Sequence, residues 1–196
     1  MKKINIKPLT IIAFSCFLIA CSELGNYIVL NEPEIVQSYP CKDKVHFDQS
    51  ENISMFTLSQ DFEIRGNTIP ENSTIEIQGK EMLIYLSKPT EIKGYLVRKR
   101  KHTNDHCTLD EQGNLIFFVP VNDITIDKIP CMGQKDIWLY PSGKLFMCHL
   151  ADDFDHSNNN FKKGQFVLID DQGIMCNHTW SKFHDIRKSG LYPNNH

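Results

Sequence analysis

Ile137–Leu150, IWLYPSGKLFMCHL, decides the fold. Two apolar runs rich in β-formers flank Pro141-Ser142-Gly143, and an interruption of that kind marks a turn between strands. The same turn recurs on either side. DEQGNL (Asp110–Leu115), YPSGKL (Tyr140–Leu145) and DDQGIM (Asp170–Met175) place Gly113, Gly143 and Gly173 at an even spacing of 30. Leu109 and Leu139 precede the first two turns, and Leu115 and Leu145 follow them. Glycine at this point supplies the positive φ that such turns often require.

Other echoes interlock with these turns. Pro40-Cys41 matches Pro130-Cys131. After an insertion of two residues, Val45–Phe47 matches Ile137–Leu139, and FTLSQDF (Phe56–Phe62) matches CHLADDF (Cys148–Phe154). LSQDFEIRG (Leu58–Gly66) is echoed by LSKPTEIKG (Leu86–Gly94). Together they imply a repeated unit. The residue aligned with Cys148 is Phe56 in one copy and Phe118 in another, which assigns that slot to the core. Thr74–Ile77, Leu83–Leu86, Leu115–Val119 and Phe166–Ile169 are further runs of strand length. Prolines 40, 70, 120, 130 and 141 fall at ends of runs, where a missing N–H does least harm.

The expected fold class is all-β: degenerate repeats of short strands and Gly turns forming a meander or solenoid over residues 39–179. YPSGKL resembles the hairpin turn of MORN-type and antitoxin-like Y-x-N-G-K repeats, with Ser142 where that pattern has Asn. The resemblance covers six residues and implies a hairpin without implying a function. Only the end of the chain reads differently. Thr179–Gly190 offers an N-cap, a glycine stop and Trp180, Phe183 and Ile186 at three-residue spacing, so residues 180–196 are expected to hold a short helix with one apolar edge.

The first 21 residues carry an address. Lys2, Lys3 and Lys7 lead into the apolar run Leu9–Ala20, too short to span a bilayer comfortably, and the order is that of a secretory signal. Leu18-Ile19-Ala20-Cys21 resembles the lipobox of bacterial lipoproteins. That resemblance implies removal of residues 1–20, and acyl chains on Cys21 as the new N-terminus. A covalent lipid there is the one non-protein group expected; no other cofactor is. One acyl chain holds a protein marginally and two or more hold it stably. Ser22 stands where aspartate, in enterobacteria-like sorting, retains lipoproteins on the inner membrane, so the family rule favours the outer membrane. Residues 21–38 then form the lipidated N-terminus and a tether, unless Tyr27–Leu30 docks as a first strand.

Composition narrows the function. Without residues 1–20 the remaining 176 residues hold 18 basic against 24 acidic side chains, a formal charge of −6. Nucleic-acid binding needs clustered positive charge, so no nucleic-acid partner is expected. The length suits one domain with a substantial core. Cys41, Cys107, Cys131, Cys148 and Cys176 follow Cys21, and in an oxidising envelope they read first as disulfide partners. Five cannot all pair and spacing does not give the connectivity. The pair favoured is Cys131–Cys148, since both lie within one copy of the repeat.

Chemistry-bearing clusters are sparse. Asp153, Asp155, Ser157 and Asn159 alternate as the first ligands of an EF-type calcium loop do, but Asn158 replaces the turning glycine and Gly164 the bidentate glutamate. A polar inter-strand loop is the default, and no metal is expected. His102, His106 and Cys107 fall close together, and Cys176 with His178 would share one strand face; four ligands at metal-site spacing are absent. His106 and Cys107 would face opposite ways on a strand. Arg98-Lys99-Arg100-Lys101 would serve either anionic headgroups or a charged, pairing-resistant loop. Asp170-Asp171 has no evident partner carboxylate, and no nucleophile elbow, phosphate loop or H-E-x-x-H occurs. The expectation is therefore a lipid-anchored binding or structural module whose partners are the membrane and an envelope protein. The alternative is an envelope hydrolase using scattered His, Cys and Asp residues.

Overall fold

The structure, a computed structural model, describes residues 26–102, 105–157, 159–170, 173 and 175–177. Among them every regular element is a strand, and every pairing is antiparallel. β1 (Tyr27–Val29) lies at one edge. Thereafter one unit recurs five times: a short hairpin, then two longer strands. The first copy has β2 (Glu34–Val36) folded against the start of β3 (Tyr39–Phe47), which continues to β4 (Ile53–Leu58). The second has β5 (Phe62–Ile64) and β6 (Asn67–Ile69), then β7 (Thr74–Gln78) and β8 (Glu81–Tyr85). The third has β9 (Thr90–Ile92) and β10 (Tyr95–Val97), then β11 (Cys107–Leu109) and β12 (Leu115–Phe118). The fourth has β13 (Ile124–Ile126) and β14 (Ile129–Cys131), then β15 (Ile137–Leu139) and β16 (Leu145–His149). The fifth has β17 (Phe154–His156) and β18 (Asn159–Phe161), then β19 (Phe166–Ile169) and β20 (Met175–Asn177).

The longer strands join in a 12-stranded meander, ordered β1-β3-β4-β7-β8-β11-β12-β15-β16-β19-β20 with β2 paired to β3. The other four short hairpins stand outside it as two-stranded ribbons. Neighbours in sequence are neighbours in the sheet, as a meander requires.

Two turn types recur along the chain. The short hairpins close on residue pairs that both have positive φ: Gln37-Ser38 (47°, 75°), Arg65-Gly66 (50°, 73°), Lys93-Gly94 (50°, 83°) and Asp127-Lys128 (51°, 69°). That is the type I′ signature, whose twist matches the flanking strands. In every copy but the second the longer strands close on a five-residue loop; β7 and β8 close on Gly79-Lys80 alone. Asp110 and Tyr140 each donate N–H to the carbonyl four residues on, and accept from Gly113 and Gly143 respectively. Gly113, Gly143 and Gly173 sit at φ +82°, +82° and +81°, as the even spacing predicted. In the first copy Glu51 takes the same place at φ 62°, bonded to Asp48.

Alternation packs one sheet face and the short hairpins into a single core. Phe56, Phe118 and Cys148, aligned by the repeat, are all fully buried in it. Tyr39 stacks on Phe56 at 4.6 Å and Tyr95 on Phe118 at 4.9 Å, so equivalent hairpins cover equivalent core slots with a tyrosine. Pro70, Pro120 and Pro141 stand at strand ends as expected. Pro40 and Pro130 instead lie inside β3 and β14, where their carbonyls accept from Ser59 and Ala151. For Pro130 the two-stranded ribbon tolerates the missing donor because half its backbone groups are unpaired anyway.

Part of the stretch read as a tether is strand. Tyr27, Ile28 and Val29 pair with His46, Val45 and Lys44, and residues 34–36 form β2. Tyr-Ile-Val has the β-branched and aromatic character that fits a sheet edge. The helix expected at residues 180–196 lies outside the described residues.

Candidate functional site

Three features stand out: an apolar sheet edge, an apolar patch on the outer sheet face, and a pair of thiols within the core.

The edge is β1 with β2. Ile35 is 70% exposed and Val29 66%, and Tyr27 and Ile28 are also exposed. These four are most of the large apolar side chains that the described residues leave in solvent. The Lys44 ammonium lies 3.6 Å from the centre of the Tyr27 ring. Beside them Asn26, Tyr27, Ile28, Gln37, Phe47 and Glu51 line an open cleft of about 530 Å³. Gln37 fixes its floor, donating to the Glu51 carbonyl and accepting from the Ile53 N–H. Among the described residues β1 pairs on one side only, and an edge of that kind is the usual template for an added strand.

The outer patch is built by β16 and β19. Leu145, Cys148, Val167 and Ile169 point into the core, which turns Phe146, Met147, Phe166 and Leu168 to the opposite face. These four form a second buried cluster flanked by Trp138, Tyr140 and Cys176. The register carries it onward: Phe117 lies opposite Trp138, Trp138 opposite Met147, and Met147 opposite Leu168. His106 is held between the Tyr85 and Phe117 rings at 5.6 and 4.8 Å, and His149 lies 5.2 Å from Phe166. Both histidines thus belong to aromatic packing. Nearby Asp136 is partly buried, which raises its carboxyl pKa above the usual range against the pull of His149.

Cys41, Cys107, Cys131 and Cys148 are fully buried and Cys176 half-buried. Burial pushes Cys41 to about 11 and Cys107 to about 12, so neither supplies a thiolate near neutral pH. His106 and Cys107 do face opposite ways, as strand alternation predicted. Cys131 is raised by its contact with the Cys148 thiol and then by burial. The structure therefore brings together the two cysteines that the repeat singled out.

Asp153, Asp155, Ser157 and Asn159 fall on one short hairpin, where each has a local role. Asp153 accepts the Lys163 N–H at 2.9 Å and pairs with the Lys162 ammonium at 2.8 Å, contacts that hold its carboxyl below the ordinary range. Asp155 accepts from the Asn160 amide, Ser157 occupies the turn at φ 49°, and Asn159 opens β18. Asp61 and Asp123 repeat the Asp153 role, accepting the N–H of Glu71 and Gly133. The separation is ten residues each time. That regularity was available in the sequence as the shared Asp of SQDF, VNDI and ADDF, and the calcium-like spacing obscured it. Among the described residues no three His, Cys, Asp or Glu side chains converge as a metal site.

The basic run divides its labour. Arg98 is largely buried and pairs with Asp105 at 2.5 Å, while Arg100 covers the Tyr85 ring at 4.7 Å. Asp105 also accepts the N–H groups of Lys101 and His102. Burial would raise its carboxyl, but these hydrogen bonds and Arg98 outweigh it and hold the pKa low. Lys99 and Lys101 remain exposed. Asp170 helps line a second cleft of about 380 Å³ with Asp127, Lys128, Lys144 and His156. Cys21 and His178 lie outside the described residues. No helix among the described residues is long and apolar enough to cross a membrane. Comparison with protein-family models, with curated proteins and with solved structures finds no match to this chain.

Proposed function

We propose that the chain is a lipid-anchored protein of the bacterial cell envelope, held by acyl chains on Cys21, whose β meander serves as a binding or structural module. The observation that carries this reading is the position of the exposed apolar edge. Tyr27 follows Cys21 by six residues, a span of roughly 20 Å when extended at about 3.3 Å per residue. Tyr27, Ile28, Val29 and Ile35 would therefore stand within reach of any bilayer that holds the anchor. A strand that forms the sheet edge among the described residues, beside an open cleft, also suits capture of an extended segment of an envelope protein. Outer-membrane placement follows from Ser22 under the family rule. The acidic balance argues against nucleic acid as a partner.

The anchor is tested by feeding cells a clickable fatty acid and comparing the full chain with its Cys21→Ala variant. Incorporation into the wild type is expected to fall to background in the variant. Equal labelling of both would overturn the anchor.

A further inference from the structure

We propose that Cys131 and Cys148 form the one disulfide of the β meander, a covalent link from the fourth short hairpin to the strand it covers. The backbone brings the two residues to the same part of the core. Cys131 ends β14 and faces Leu150 across an antiparallel bridge. On either side, Met132 donates to the His149 carbonyl at 2.8 Å and Ala151 to the Pro130 carbonyl at 2.9 Å. Cys148 stands two residues before Leu150 on β16 and so points to the same face. Both side chains are fully buried in one core cluster as free thiols, with Cys148 beside Cys131.

The other copies explain why this contact is unusual. Cys41 faces Leu58 and Val97 faces Pro120, as Cys131 faces Leu150. The residues two before those partners are Phe56, Phe118 and Cys148. The first and third copies therefore fill the slot with a small residue and a phenylalanine, whereas the fourth sets two small residues together. A sulfur–sulfur bond draws them together across the space that an aromatic ring fills elsewhere. Cys41 meets Phe56's slot instead of a second thiol, so it stays reduced.

Formation removes a proton from each thiol and two electrons from the pair. The electrons pass to a disulfide-bearing oxidant, either an envelope thiol–disulfide exchange protein or oxidised glutathione. A mixed disulfide forms first, the second thiolate displaces the oxidant's sulfur, and the oxidant leaves reduced. Neither thiol reaches solvent in the folded state, so exchange takes place before the core closes. In the cell the bond rests on the envelope reading, because a reducing cytosol would not keep it.

The test starts from the full chain, reduced and unfolded in urea, then refolded in a glutathione redox buffer. Remaining thiols are alkylated under denaturing conditions, and unreduced peptides are mapped by mass. The Cys131 and Cys148 peptides are expected linked, two hydrogens lighter than their sum, with Cys41 and Cys107 alkylated. The oxidised protein is expected to resist reductant until urea is added, and to melt roughly 5 °C or more above the reduced form. Alkylation of both cysteines, or linkage of either to another one, would overturn the pairing. A second arm traps thiols in intact cells before lysis. Linkage there supports the bond in its native compartment. A pair linked in glutathione but reduced in cells would leave the bonding site standing and overturn the envelope reading.

Discussion

Gly113→Ala is expected to destabilise the fold by about 3–5 kcal/mol, while Gly143→Ala at the equivalent turn costs only about 1 kcal/mol. Both glycines sit at φ +82°, so both substitutions carry the backbone strain of a left-handed residue. Their surroundings differ. A Cβ on Gly113 would lie 2.2 Å from the Arg65 carbonyl oxygen and 2.8 Å from the Arg65 Cβ, whereas one on Gly143 would meet nothing within 4 Å. The turn of the second short hairpin is seated directly on the β11–β12 turn. Arg65 reaches over to donate to the carbonyls of Lys80 and Asp110, and Asn67 donates to Gly113 itself. A methyl group would pry these apart. Urea unfolding of both variants measures the difference; equal losses would mean that the two turns are not in contact.

Phe118→Ala is expected to cost about 3–5 kcal/mol, and Phe56→Ala a similar amount. Each ring is fully buried and covered by a tyrosine from the short hairpin of its own unit. Truncation removes the burial and leaves a void between sheet and hairpin that neither element can collapse to fill. Because the two slots lie in separate copies of the unit, the double variant should lose close to the sum of the single losses. Equilibrium denaturation of the three proteins decides the matter. A double loss much smaller than the sum would show that the slots belong to one shared contact network.

The all-β class and the repeat were legible because long-strand turns declare themselves. Gly113, Gly143 and Gly173 carry the positive φ openly, and Phe56, Phe118 and Cys148 share a slot whose burial the alignment predicted. The short hairpins were harder to see. Their strands are three residues long, too short for alternation to register. Two of their four described turn pairs, Gln37-Ser38 and Asp127-Lys128, reach positive φ with no glycine or asparagine to announce it. Gly133 gives no local signal in the sequence for a related reason. Its φ is not positive, and glycine is needed because a Cβ would meet the Asn122 backbone carbon at 2.4 Å, a contact between residues that only the folded chain brings together.

The sites divide along the same line. That Cys131 and Cys148 share one core cluster was readable because both fall in one copy of the unit, where sequence distance translates into spatial distance. The outer apolar patch was not, since Phe146-Met147 sit side by side between Leu145 and Cys148 and so break the two-residue period. A register irregularity between Trp138 and Leu139 accompanies it on the facing strand. The basic run looked like a solvated surface, yet Arg98 is enclosed by Asp105, seven residues further on in a loop whose path no local pattern specified.

The most direct measurement of the central claim is the intact mass of the protein extracted from its own membranes. A polypeptide beginning at Cys21 and carrying the added mass of its acyl chains is what the anchored reading predicts. A chain that keeps residues 1–20, or that begins elsewhere with no added lipid mass, would contradict it.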